Sequence, residues 1–230
     1  MLFGIPWDTS TEWAFALSIL PILLKGMIVT IQATLVGFLV AAIVGLILAA
    51  LKSSRFKLIS WPARFITEFI RDTPLLAQLF FLYYVLPDYG IVLPAFMTGA
   101  LALGLQYSAY TSEVYRAGIE SVDVGQHEAA RALDMSTLRT FTIIVIPQAI
   151  PRIIPALGNY LVSIMKDVPV LSVVSVLEML NVAKIIGDRT FNYLIPLSLV
   201  GLLYLVMTLI AAYLIRVLDT RLPKEGISLR

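Results

Sequence analysis

Three stretches of the chain, residues 26–51, 89–112 and 191–215, contain no charged side chain. Each is longer than the roughly 20 residues an α-helix needs to cross a hydrocarbon core. Two further apolar stretches are interrupted by charge. Residues 58–86 enclose Arg64, Glu68, Arg71 and Asp72, and residues 153–186 enclose Lys166, Asp167, Glu178 and Lys184. The pattern predicts an all-α membrane protein forming a single transmembrane domain over residues 1–230, with five spans at about 18–51, 58–86, 91–115, 152–180 and 192–216. The first is long enough to tilt or to begin as an interfacial segment. A polar loop, about 116–151, separates the third span from the fourth.

Composition removes the soluble alternative. The chain is 59% hydrophobic and 14% charged, with a mean hydropathy of +0.90. A soluble domain of this length has too little interior to bury three such stretches. Loop cations then set the orientation. Lys52, Arg55, Lys57, Arg64, Arg116, Arg131, Arg139, Arg152, Arg216, Arg221, Lys224 and Arg230 fall on one side, against only Lys184 and Arg189 on the other. The N-terminus is therefore expected outside, with the 113–152 loop and the C-terminus in the cytoplasm. The first span reads as a retained anchor rather than a cleaved leader.

The net charge of +2 reflects topology and gives no indication of nucleic acid. The chain has no cysteine, which excludes disulfide and thiolate chemistry, and His127 is its only histidine, which excludes a multi-histidine metal site. No G-x-x-x-x-G-K-[ST] phosphate loop is present, so the chain cannot hydrolyse ATP itself. No catalytic residue and no cofactor is expected. Energy for any transport must come from a partner or an ion gradient.

The polar loop reads as two helices. Asp123-x-x-Gln126 has the form of a capping box, and Gly125 to Leu133 are mostly good helix formers. Ala129, Ala130 and Leu133 share a narrow face of small residues that lets another surface approach closely. Asp134 sits where this helix must stop, and Ser136 is a plausible N-cap for a second helix running to about Ile146. An amphipathic helix lying on the membrane surface is the alternative, but an alanine face anchors poorly in lipid.

Glu128-Ala129-Ala130, then Asp134, then Ile144-x-Ile146-Pro147 resembles the EAA loop of ABC-importer permeases, which reads E-A-A, three residues, G, nine residues, I-x-L-P. Asp134 stands at the glycine and Ile146 at the leucine. A left-handed turn at the glycine would suit Asp, one of the few other residues that tolerate it. The stretch from Arg71-Asp72-Thr73-Pro74-Leu75-Leu76 to Gln78 and Phe80-Phe81 is similar to the R-G-T-P-L-L-x-Q-x-F-F stretch of polar amino acid permeases. Ala109-Tyr110, Glu113, Arg116 to Ile119, Pro147-Gln148-Ala149 and Lys166-Asp167 also match that subfamily, and the resemblance covers about residues 20–220.

It implies a type I importer transmembrane fold with two short cytoplasmic coupling helices, in which Gly125, Glu128, Ala129, Ala130, Leu133, Asp134 and Pro147 meet a separate ATPase. It also implies three kinds of partner: a cytoplasmic ATPase dimer, a second permease chain (a homologue or a copy), and an extracytoplasmic substrate-binding protein. The setting would be the bacterial inner membrane and its lipid. The substrates of such systems include acidic, basic and amide amino acids and compatible solutes. The run from Lys166 to Leu177 followed by Glu178 resembles the ectoine-type branch.

Polar groups inside spans mark a possible path. Pro74 removes the hydrogen bond to the carbonyl of Ile70, and Thr73, Leu75 and Gln78 lie beside that gap. Asn159, Ser163 and Asp167 recur every four residues, a stripe that could wall a polar route. Lys166 adjoins it, with an interhelical ion pair to Glu68, or of Asp167 to Arg71, as the structural alternative. Tyr107 and Ser108 are weaker members of the path. Glu178 and Lys184 are expected to be simply solvated near the outer face. Two other functions compete with an importer subunit. An ion-coupled secondary transporter would show an internal repeat, and none is visible. A non-transporting scaffold would use the loop to bind something else.

Overall fold

The computed structural model describes residues 2 and 7–222, so Lys224 and Arg230 of the basic tail lie outside the described residues. Every element that builds the fold is a helix. α1 (Glu12–Lys52) begins at Thr11, whose side chain caps it by accepting from the Ala14 N–H at 3.1 Å. At about 1.5 Å per residue its 41 residues extend about 60 Å, well beyond a bilayer core.

Phe15, Ile19, Ile22 and Leu23 fill the start of the buried face of α1, and from Gly26 onward that face is mostly small: Gly26, Thr30, Ala33, Gly37, Ala41, Gly45 and Ala49. Large side chains such as Leu35, Leu39 and Ile43 point outward. This inside-out arrangement suits a helix surrounded by lipid, where close backbone packing replaces hydrophobic burial as the source of association. α4 (Ala95–Glu120) packs along it. A Cβ added at Gly104 would lie 2.5 Å from Val40, and one at Gly45 would overlap Thr111 Oγ1. Thr111 Oγ1 donates across the seam to the Ala41 carbonyl at 2.7 Å.

Three segments are long and apolar enough to cross a membrane by length and composition: Glu12–Lys52, Thr137–Val174 and Leu194–Arg221. α4 carries too many polar residues to join them, and it is the most enclosed helix, with Thr98, Gln106, Ser108, Thr111 and Ser112 all buried.

Two expected spans are built differently from the sequence reading. Residues 58–86 do not form one kinked helix. α2 (Lys57–Asp72) ends at Thr73, whose backbone is extended, and α3 (Leu75–Phe80) starts afresh before a π turn and a 3₁₀ turn carry the chain to Tyr89. Residue 73 precedes a proline and is pushed out of the helical region. The fourth span does not continue as a helix to residue 180 either. α7 (Ile146–Asp167) gives way at Pro169 to a 3₁₀ segment, Val168–Val174, and the chain turns at Ser175 with φ +63°. α8 (Met179–Thr190) then folds back between α1 and α9 (Leu194–Arg221).

α8 seats tightly. A Cβ at Gly26 would lie 2.9 Å from the Met179 Cα, and Thr30 Oγ1 accepts from the Met179 N–H at 3.2 Å.

Candidate functional site

The polar loop is the first candidate site. α5 (Val124–Ala132) is capped by Asp123, whose Oδ1 accepts from the Gly125 N–H at 2.7 Å. The expected reciprocal half of the capping box is missing, because the Gln126 side chain instead accepts from Gln148 Nε2 at 3.3 Å. At the other end the Asp134 N–H reaches the Arg131 carbonyl and the Met135 N–H reaches the Ala130 carbonyl, both at 3.0 Å. These are the two bonds of a Schellman motif, and Asp134 occupies its left-handed position with φ +54°. Asp134 therefore adopts the backbone expected of the glycine it replaces.

The second loop helix departs from expectation. α6 (Thr137–Thr140) is capped by Ser136 but does not stop near Ile146. It passes through a π turn, Phe141–Val145, straight into α7. The wider π turn accommodates Pro147, which has no N–H for the Ile143 carbonyl. The loop thus holds one free-standing short helix, and its second helix is the foot of a 38-residue rod, Thr137–Val174. Of the expected docking residues, Gly125, Glu128, Ala129, Leu133, Asp134 and Pro147 are exposed. Ala130 is not: at 1% exposure it faces the bundle, so the shared alanine face is divided. Val124, Leu133 and Leu138 add exposed apolar surface.

The polar tract between helices is the second candidate site. At the break between α2 and α3, Gln78 Nε2 donates to the Ile70 carbonyl at 2.8 Å and across to Gln106 Oε1 of α4 at 2.6 Å, and Thr73 Oγ1, 2.7 Å from the amide, also donates to the Ile70 carbonyl at 3.2 Å. The carbonyl freed by Pro74 is satisfied from within the chain. Thr73 and Gln78 line a cleft of about 360 Å³ with Phe69, Phe81 and Leu105, and Leu75 packs half-buried against the core.

Elsewhere on α4 the Tyr107 hydroxyl donates to Asp167 Oδ2 at 2.7 Å. Tyr107, Tyr110 and Tyr160 form a three-ring cluster with centroids 5.8–6.0 Å apart. Among the described residues Asp167 has no cationic partner, and Arg71 pairs instead with its own neighbours Glu68 and Asp72. The interhelical ion pair is therefore absent. A half-buried carboxylate with one neutral donor retains lone pairs for a cation.

Other expected path residues fall elsewhere. Lys166 points away from Asp167 into a cleft against α9 with Pro169, Gly201, Tyr204 and Thr208, as the 100° between successive helical residues requires. Ser108 is fully buried and returns its hydroxyl to the Leu105 carbonyl at 2.6 Å, so it lines no path. Ser163 likewise donates to the Asn159 carbonyl at 3.1 Å, while Asn159 is exposed. Within the Asn159–Ser163–Asp167 stripe the Ser163 hydroxyl is thus turned back on its own helix, between the exposed Asn159 and the half-buried Asp167. Lys184 is exposed as expected, but Glu178 is fully buried. Its carboxylate caps α8, accepting from the N–H groups of Leu180 at 2.8 Å and Asn181 at 2.6 Å, and Tyr204 donates to it at 3.4 Å. The return of α8 into the bundle, invisible in a linear pattern, is what buries it. Lys52, counted among loop cations, is also buried and pairs with Glu113.

The chain is a bundle of apolar, membrane-length helices with a structured polar handle and buried polar groups between its helices, and its relatives are membrane permeases. Residues 41–224 match the family of binding-protein-dependent transport system inner membrane components. The chain is 64% identical over the full length of both proteins to the probable amino-acid ABC transporter permease protein y4tG of Sinorhizobium fredii. It is 34% identical to the arginine transport system permease protein ArtQ of Bacillus subtilis, over 90% of this chain and 94% of that one. Its fold is similar to an amino acid ABC transporter crystallised with histidines, with a TM-score of 0.86, 37% identity and coverage of 90% and 96% of the two chains. A subunit of the MetNI methionine ABC transporter shares the fold at a TM-score of 0.70 and 16% identity, covering 88% of this chain and 95% of that one. The chain belongs to the binding-protein-dependent transport system inner membrane components, and is a permease subunit of type I ABC importer architecture.

Proposed function

We propose that the chain carries polar amino acids, or related zwitterions such as ectoine, across the bacterial inner membrane by alternating access. The observation that carries this reading is the half-buried Asp167, whose carboxylate accepts from Tyr107, itself packed against Tyr110 and Tyr160. A carboxylate is what a substrate ammonium requires. The names of the relatives support the same substrate class.

In this reading the N-terminus is outside, the loop is cytoplasmic, and a separate ATPase pair docks on α5 through Glu128, Ala129 and Leu133. ATP hydrolysis belongs to that partner. A second permease chain completes the pathway, and an extracytoplasmic binding protein delivers substrate. The test is co-purification with the candidate ATPase in nanodiscs, followed by uptake of labelled amino acids in proteoliposomes. ATP-dependent uptake supports the reading. Uptake driven by an ion gradient without the ATPase would replace it with a secondary transporter.

A further inference from the structure

At the loop-bearing end of the bundle three helices are tied by charge. Lys52, the last residue of α1, is 6% exposed. Its ammonium donates to Ser112 Oγ at 2.8 Å and pairs with Glu113 on α4. Glu113 also accepts from Arg116 Nε at 2.8 Å, and Arg116 reaches Glu120 at 2.5 Å. This run of alternating charge descends the last turns of α4 and ends one turn before Asp123, the cap of α5. Arg152 of α7 donates to the Ser121 carbonyl and pins the two ends of the loop together.

The helices approach closely around this point. A Cβ at Gly45 would lie 3.0 Å from the Ser108 carbonyl oxygen of α4, and where α4 meets α7 one at Gly118 would overlap Ile153.

A lysine exposed at this point would satisfy the topology equally well. Burying it incurs desolvation that its partner only offsets, and an apolar side chain of similar volume would pack without that penalty. Stability is therefore a poor explanation for the pair. We infer that Lys52–Glu113 is the joint that fastens α1 to the loop-bearing end of α4, so that movement imposed on α5 reaches α1. The inference rests on the reading of α5 as the ATPase-docking element. From α1 the movement continues to the far half of the bundle, because α8 rides on Gly26 and Thr30 through Met179.

Lys52→Met is the decisive variant, since it leaves Glu113 paired with Arg116 and strands no buried charge. The complex, with its ATPase and binding protein in proteoliposomes, is assayed for uptake of labelled L-arginine and L-glutamine and for ATP hydrolysis in the same vesicles. The expected result is normal abundance and continued hydrolysis, with uptake per ATP lowered about tenfold, within the range common for coupling between distant sites. Lys52→Arg should stay near native. In parallel, the cysteine-free chain accepts spin labels at Leu46→Cys on α1 and Ala132→Cys on α5. Their separation should stay narrow with and without ATP and vanadate in the native chain, and broaden in Lys52→Met. Unchanged uptake per ATP with an unchanged label distance overturns the joint. Lower abundance with unchanged uptake per ATP overturns it too, because the pair is then only structural. A native chain that neither binds nor stimulates an ATPase fails the permease reading instead, while the label distances still report on the joint.

Discussion

The side-chain amide of Gln78 donates to the backbone carbonyl of Ile70 at 2.8 Å, across the break that Thr73 and Pro74 open between α2 and α3. One polar side chain thereby repairs the hydrogen bond that a proline deletes, and also ties the break to Gln106 on α4.

Gln78→Leu should leave the Ile70 carbonyl without this donor at membrane depth. The expected destabilisation is about 1–3 kcal/mol, seen as a lower unfolding temperature of the purified chain in detergent. An unaltered melting curve would mean that water or Thr73 satisfies the carbonyl equally well.

Asp167→Asn keeps an oxygen to accept from Tyr107 but removes the charge. If the carboxylate meets a substrate ammonium, abundance and basal ATPase rate should hold while uptake falls about tenfold or more, since a hydrogen bond to a charged group contributes about 1.5–3 kcal/mol. Quantifying protein, ATPase rate and uptake in one preparation decides between roles. A fall in abundance that tracks uptake would assign Asp167 to structure.

Gly26→Val should force α8 off α1, because even a Cβ would lie 2.9 Å from the Met179 backbone. Overpacking of this kind costs about 1–3 kcal/mol. Gly201→Val on α9 meets open space and should be neutral in the same thermal assay.

Asp134→Gly should be tolerated or slightly stabilising, since φ is +54° there. Asp134→Val places a β-branched residue in the left-handed region, at a cost of about 1–2 kcal/mol. Co-purification of the ATPase should weaken with Asp134→Val and persist with Asp134→Gly. Equal recovery in both would dissociate the turn from docking.

Orientation has its own test in a chain without native cysteine. Ser10→Cys should react with an impermeant maleimide in intact cells, and Ser136→Cys should react only after lysis. The opposite labelling would invert the topology.

The sequence disclosed what local chemistry decides. Pro74 marked a lost hydrogen bond though not that the helix ends there, Asp123 and Ser136 forecast the caps, and the resemblance to the EAA loop the left-handed residue at 134. It did not disclose what depends on which helices meet. Glu178 and Lys52 look solvated in a linear pattern, yet α8 folds back to bury one and α4 buries the other. Ser108 looks like a path residue in the sequence, yet its side chain is buried and turned back to the Leu105 carbonyl of its own helix. The continuity of α6 with α7 was hidden because prolines usually signal an end, whereas a π turn accommodates the first of them here.

Those prolines give the bundle an uneven stiffness. Pro147, Pro151 and Pro155 lie one turn apart on α7 and deprive the carbonyls of Ile143, Pro147 and Pro151 of their helical partners. The rod that rises from the handle is therefore missing one rung in each of three turns near its foot, whereas α1 has a single internal proline, Pro21, far from the loop, and meets α4 through close glycine contacts. Under a load applied at the loop, α7 is the compliant leaf spring and the α1–α4 pair is the lever, so bending should concentrate at residues 143–155 and spare the seam beside them.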